Sequence, residues 1–319
     1  MCCAFCPRLS LPTNRLTSSW RRPPKSSLRS MNTFPLTDAI PAHEEIERPS
    51  SIGETMFIRH WQPEGETRGS AVLAHGVFEH SGRYHHVAER FTRRGYQVWA
   101  PDHYGHGRSA GPRGYIQHPN HFIDDLRLVV ELATMATGCK PILLGHSMGG
   151  TIAALYAIRQ QETLRALVLS SPALRIHASD CVIAIGRIVS DIIPAAPMPS
   201  GLSQPATHNQ AWEAWKASDA LRHNRLTFRT ARFIVDAGEE ARAQAHTLGI
   251  PVLLLVAGED TYVDKRGAHE FFARLPANTG ELHEYAGFYH EIFNEVERET
   301  PLSDLDAWLE KLDRGARRG

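Results

Sequence analysis

Two hydrophobic rhythms alternate along this chain. The first consists of compact apolar runs of strand length: Ser70–Ala74, Tyr96–Pro101, Pro141–Leu144, Ala166–Ser170 and Val252–Ala257. Such runs suit strands that are covered on both faces. In the second, apolar residues recur every three to four positions. Tyr84, Val87, Ala88 and Phe91 mark one amphipathic helix with Gly95 at its C-cap, and Phe122, Leu126, Val129, Val130 and Ala133 mark another. Thr151–Arg159 and Arg266–Leu275 are further helices, and Leu302, Leu305, Trp308, Leu309 and Leu312 make a closing one. Glu54–Trp61 alternates weakly, as an edge strand does, and Glu281–Tyr285 is the last expected strand. Strands alternating with helices predict an α/β fold with a mostly parallel sheet flanked by helices.

The alternation breaks once. From Pro172 to Thr247 no compact buried strand occurs. Instead there is an apolar helix over Val182–Ile193 with Arg187, Ser190 and Asp191 on one side, then a turn holding Pro194, Pro197 and Pro199, then helical pieces with Trp212 and Trp215. An insertion between sheet strands, at the end where open α/β sheets bind ligands, reads as a helical cap. The expected organisation is a core over 43–171 and 248–315, a cap over 172–247 and a tail over 316–319. Residues 1–42 hold Arg8, Arg15, Arg21, Arg22, Lys25 and Arg29 among many Ser and Pro, and the first acid is Asp38. They read as a disordered leader or as an over-called start ahead of Met31; an organellar transit peptide is the competing reading.

Composition narrows the class. The 319 residues are 42% hydrophobic and 22% charged, with 35 basic residues against 35 acidic ones. That balance gives no electrostatic case for nucleic acid as a partner. The five cysteines (2, 3, 6, 139 and 181) do not repeat in spacing, so they read as free thiols in a reducing, cytoplasmic setting. No run approaches the ~18 apolar residues of a membrane span. His75, His80, His85, His86, His103 and His106 show no i, i+4 pair with a nearby Glu, so they are expected to pack around the site loops. No metal or cofactor is expected.

The candidate chemistry centres on Gly145-His146-Ser147-Met148-Gly149, between an apolar strand and a helix. A serine at the tip of such a turn sits in strained backbone and needs tiny neighbours for the turn to close. Its hydroxyl needs a base, and the base needs an orienting carboxylate. In the chain order of α/β-hydrolases these follow the serine as acid and then histidine. Asp260 lies just beyond the strand Val252–Ala257, with Asp264 as a weaker rival. His290 lies just beyond Glu281–Tyr285, whereas His269 sits in a helix and His283 in a strand. The two oxyanion donors are expected to be the backbone N–H groups of Met148 and of Val77, in the loop after the first buried strand.

Three motifs, His75-Gly-Val-Phe-Glu-His-Ser-Gly-Arg-Tyr84, Asp102-His-Tyr-Gly-His-Gly-Arg-Ser109 and Gly145-His-Ser-Met-Gly-Gly150, are continued by Gly258-Glu-Asp260 and Tyr289-His290. Together they resemble the monoacylglycerol lipase and lysophospholipase group of α/β-hydrolases, from about Glu45 to Lys311. The resemblance implies an eight-stranded sheet with a helical cap after the sixth strand. It implies hydrolysis of one acyl ester of a monoacylglycerol or lysophospholipid through an acyl-enzyme. Ser147, Asp260 and His290 would form the triad, and Glu79 and Arg83 the polar end of the substrate site. The cap helix would guide acyl chains and touch membranes or micelles transiently, which makes the protein peripheral to a membrane. Phe78 departs from the small glycine of animal members and narrows the oxyanion loop; Phe293 stands where some of them carry a second histidine. The rival readings are a broad carboxylesterase or acyltransferase of the same fold, and a non-catalytic ligand-binding hydrolase fold.

Overall fold

The computed structural model describes residues 42–202 and 204–315. The leader expected over 1–42, residue 42 apart, and the tail expected over 316–319 lie outside them. Among the described residues ten strands and eight α-helices follow in chain order. The strands are β1 (His43–Pro49), β2 (Thr55–Trp61), β3 (Gly69–Ala74), β4 (Tyr96–Pro101), β5 (Ile142–His146), β6 (Ala166–Ser170), β7 (Pro197–Met198), β8 (Leu226–Thr227), β9 (Val252–Ala257) and β10 (Gly280–Tyr285). The helices are α1 (His85–Thr92), α2 (His121–Thr137), α3 (Met148–Gln160), α4 (Asp180–Ile192), α5 (Gln210–Ser218), α6 (Phe228–Gln244), α7 (Arg266–Arg274) and α8 (Glu299–Gly315).

Eight of these strands form one sheet in the order β1-β2-β4-β3-β5-β6-β9-β10. From β4 to β10 the pairings are parallel, while β2 runs antiparallel to both β1 and β4. This corrects the edge expected at Glu54–Trp61. β2 is an inner strand, buried at every residue after Thr55, and β1 is the edge. The sequence HEEIERP hides β1 because an edge strand needs little apolar surface, and its acids face water.

The apolar runs are explained by two cores on opposite faces of the sheet. Val252, Leu254 and Val256 of β9 join Phe122, Leu126 and Val129 of α2 and Phe271 of α7 on one face. Leu253, Leu255 and Ala257 join Phe91 of α1 and Leu302, Leu305 and Trp308 of α8 on the other. Period-two alternation therefore persists, but both faces are apolar. One helix end differs from the sequence pattern. Arg93 rather than Gly95 caps α1, and Gly95 makes the left-handed turn (φ 87°) into β4; Gly138 (φ 68°) caps α2.

The inserted stretch between β6 and β9 holds α4, α5, α6 and a small antiparallel pair, β7 with β8. Its last helix, α6, packs on α3 and α7 as part of the helical layer. From the segment ahead of it, Leu202, Lys216 and Arg222 lie around the same cavity as Ser147 and His290. Among the described residues no helix is long and apolar enough to cross a membrane.

Candidate active site

The turn between β5 and α3 is tight. Ser147 sits at φ 53° and ψ −121°, a region a non-glycine residue enters only under constraint. The residues two positions to either side, Gly145 and Gly149, must lack side chains. A Cβ on Gly145 would lie 2.2 Å from the Gly149 carbonyl oxygen, and one on Gly149 would lie 2.1 Å from that of Ala74. The backbone N–H of Ser147 donates to Ser170 O at 3.0 Å, which ties the turn to β6. Ser147 thus projects its hydroxyl above the sheet, at the N-terminus of α3, where the helix dipole favours negative charge.

The structure brings Ser147, His290 and Asp260 into line. His290 Nε2 lies 2.8 Å from Ser147 Oγ, and His290 Nδ1 lies 2.7 Å from Asp260 Oδ2. The other carboxylate oxygen, Asp260 Oδ1, accepts from the N–H groups of Tyr262 (2.8 Å) and Val263 (3.0 Å). Burial pushes the Asp260 carboxyl up, but His290 and these two N–H groups outweigh it and hold it below the usual range. For His290 burial alone would lower the imidazole; the Asp260 charge reverses the sign and holds it above 6.5. The Tyr262 ring stacks on His290 with centroids 5.0 Å apart, and its hydroxyl donates to Gln204 O. The rival acid Asp264 pairs instead with Arg266 and Arg175. His269 pairs with Glu284, and His283 lies by Asp304.

The loop after β3 is held from both sides. His75 Nε2 accepts the backbone N–H of His103, so the ring proton is on Nδ1, which donates to Gly76 O at 2.7 Å. Burial lowers this imidazole to about 3, so it stays in that neutral form. With the Gly76 carbonyl held this way, the trans peptide turns the N–H of Val77 to the opposite side. Gly76 N–H in turn donates to Glu79 Oε2 at 3.0 Å. Asp102 joins this loop to the one after β4: its Oδ1 accepts from Ser81 N and Oγ and its Oδ2 from Arg108 N. Phe78 is buried at φ 69°, so the glycine-like backbone of this position survives although the side chain is large.

Beneath the loop lies a buried ionic cluster, of which the motifs named only Glu79 and Arg83. Arg83 bridges Glu79 (3.2 Å) and Glu291 (2.7 Å). Glu291 also accepts from Trp212 Nε1 at 2.7 Å and Asn294 Nδ2 at 3.0 Å, and pairs with Lys216 at 3.4 Å. Glu213 holds Lys216 from the other side at 2.6 Å. Burial pushes Glu79 and Glu291 up, yet the facing cations win and hold both carboxyls below their ordinary value. Trp212 and Lys216 come from α5, so the cluster joins the inserted segment to the residue next to His290. The adjacency of Glu291 to His290 was its only trace in the sequence. Glu79, Arg83, Lys216 and Glu291, with Ser147, Phe78 and Leu202, line a cavity of about 380 Å³ including its open mouth.

α4 presents the reverse of a buried helix. Its polar side faces the protein, with Arg187 bonded to Asp236 and Glu239 of α6. Its apolar side faces outward: Val182, Ile185, Ile188 and Ile192 are 59%, 60%, 61% and 73% exposed.

Residues 65–297 match the family described as serine aminopeptidase, S33. The monoacylglycerol lipase of Mycolicibacterium smegmatis is 35% identical over 253 residues, covering 78% of this chain and 90% of that one. Phospholipase YtpA of Bacillus subtilis is 33% identical over 247 residues, covering 75% and 94%. Among solved structures, the monoacylglycerol lipase of Paleococcus ferrophilus superposes with a TM-score of 0.71 at 30% identity, covering 80% of this chain and 99% of that one.

Proposed function

The chain belongs to the serine aminopeptidase S33 family of α/β-hydrolases, and from that premise we propose that it cleaves the acyl ester of monoacyl lipids, with Ser147 as nucleophile, His290 as base and Asp260 as the orienting acid. It is a carboxylic ester hydrolase of the monoacylglycerol lipase group. The observation that carries the residue assignment is the unbroken relay from Asp260 through His290 to Ser147, at 2.7 and 2.8 Å.

His290 Nε2 removes the Ser147 proton as Oγ attacks the ester carbonyl. The tetrahedral oxyanion takes hydrogen bonds from the N–H groups of Met148 and Val77, the latter presented by the peptide that His75 holds. As the intermediate collapses, the ester C–O bond breaks and His290 returns its proton to the departing alcohol oxygen. Water, activated by the same imidazole, then attacks the acyl-enzyme, releasing the fatty acid and restoring the serine. Glu79, Arg83 and Phe78 stand at the alcohol end. An aminopeptidase site would offer a carboxylate to a free amino group. Here Glu79 and Glu291 are already matched by Arg83 and Lys216, which favours the ester over the peptide.

The cap in this reading spans about 175–226, from the end of β6 to β8, and stops short of α6. The outward apolar face of α4 supports transient seating on a membrane or micelle, from which a monoacyl lipid enters the site. The test is kcat/KM for wild type and Ser147→Ala on short p-nitrophenyl esters, long-chain monoacylglycerols, a lysophospholipid and a diacylglycerol. Monoacyl lipids are expected to lead and the variant to fall to background. Equal rates for wild type and variant would defeat the reading.

A further inference from the structure

Tyr262 touches the acid, the base and the inserted segment at once. It lies in the turn after β9, where its backbone N–H donates to Asp260 Oδ1 at 2.8 Å. Its ring is nearly parallel to the His290 imidazole, at 28°, with centroids 5.0 Å apart. That is an offset stack. Burial pushes the hydroxyl up and so keeps it protonated, and it donates to Gln204 O of the inserted segment at 2.6 Å. The same segment returns to the loop of the base. Ala206 O accepts the N–H of Glu291 at 2.8 Å, and Thr207 Oγ1 donates to Asn294 O at 3.0 Å. Acid and base are thus joined twice, once directly and once through Tyr262 and residues 204–207. Partly buried, Tyr262 also lines the cavity beside Ser147.

When His290 takes the Ser147 proton it becomes a cation. A stacked ring favours that cation through the negative face of its π system and restrains the plane of the imidazole. Of the charged groups around His290, Asp260 favours the cation most, then Glu291 and Glu79. The His146 ring lies 4.8 Å away, but burial lowers it to about 4, so it adds no charge. Arg83 and Lys216 are paired with the two glutamates, and Arg222 lines the same cavity. The Tyr262 hydroxyl is bonded to Gln204 and to none of these groups, so changing its side chain leaves their pairing as it is. We propose that Tyr262 is a positioning residue for the base. Its ring holds the His290 imidazole in line and stabilises its protonated form, and its hydroxyl ties the inserted segment to the relay. This rests on the ester-hydrolase reading and adds to it a residue that acts through His290.

The test measures kcat and KM on p-nitrophenyl butyrate across pH, with the Tm of each protein, for wild type, Tyr262→Phe and Tyr262→Leu. Tyr262→Phe keeps the ring. It is expected to hold the acid limb of kcat/KM in place and to lose about two- to threefold through KM, the size of one exposed hydrogen bond. Tyr262→Leu loses the ring as well. It is expected to move the limb down by about half to one pH unit and to cut kcat about three- to tenfold. Pentafluorophenylalanine in place of Tyr262 keeps a flat ring but reverses the charge on its face. It is expected to move the limb down too, and it carries the test if the leucine variant does not fold. A limb that stays in place in both the leucine and the fluorinated variants overturns the inference, even where Tm and rate fall, because packing alone would do that. A limb that moves as far in Tyr262→Phe also overturns it. In either case turnover by the wild type leaves the ester-hydrolase reading standing. No turnover by the wild type, with no fluorophosphonate label on Ser147, defeats that reading and the inference with it.

Discussion

Glu291 is the residue whose loss says most about how this site is held. It is 5% exposed and accepts from Arg83 at 2.7 Å, Trp212 at 2.7 Å and Asn294 at 3.0 Å, with Lys216 at 3.4 Å. Glu291→Gln keeps the shape but removes the charge, and turns an amide N–H₂ toward groups that are themselves donors. Arg83 keeps Glu79 and Lys216 keeps Glu213, so the loss is at the low end for a broken buried pair, about 3 kcal/mol. For a domain of this size that lowers Tm by about 5–10 °C. The pH dependence sharpens the test. The folded state holds the Glu291 carboxyl far below its ordinary 4.5. A depressed carboxyl contributes its stability in full above the unfolded pKa and loses it as pH falls toward the folded value. The Tm gap between wild type and variant is therefore expected to be constant between about pH 8 and 5.5 and to shrink below about 4.5. Thermal unfolding followed by circular dichroism across that range measures it. A gap under about 1 °C at neutral pH, or one that fails to narrow on acidification, would refute the argument that Glu291 is an ionised keystone of the cluster.

Two further outcomes follow from the same geometry. His290 must be neutral to accept the Ser147 proton and Asp260 holds its pKa up, so the acid limb of kcat/KM should lie above 6.5; Asp260→Asn should move the limb down and cut the rate about 10³–10⁴-fold, and a limb that does not move would leave Asp260 without its role. Replacing Ile185 and Ile188 with Ser should weaken co-sedimentation with phosphatidylcholine vesicles about tenfold or more, since each loses an exposed apolar side chain, while labelling of Ser147 by a fluorophosphonate stays unchanged; equal sedimentation would remove α4 as a membrane contact.

The sequence by itself determined the parts of this protein that are encoded by neighbours along the chain. The runs at Ala166–Ser170 and Val252–Ala257 became β6 and β9 residue for residue, because a doubly covered strand must be apolar throughout. Gly145 and Gly149 announced the Ser147 turn, because no side chain fits beside it. Asp260 and His290 were legible because each follows directly on a strand that ends at the same edge of the sheet. Only the tertiary structure decided what depends on residues far apart. It moved the strand at Glu54–Trp61 inside the sheet, since the charged β1 could be recognised as its partner only through pairing. It set which way α4 faces, because an apolar stripe of Val182, Ile185 and Ile188 reads the same whether it faces a core or water, and the docking of Arg187 on α6 chose water. It also assembled Glu291, Trp212 and Lys216 beneath the loop of Glu79 and Arg83. Single glutamates and lysines carry no local pattern, and an ion pair between residues more than seventy positions apart exists only once the chain has brought its ends together.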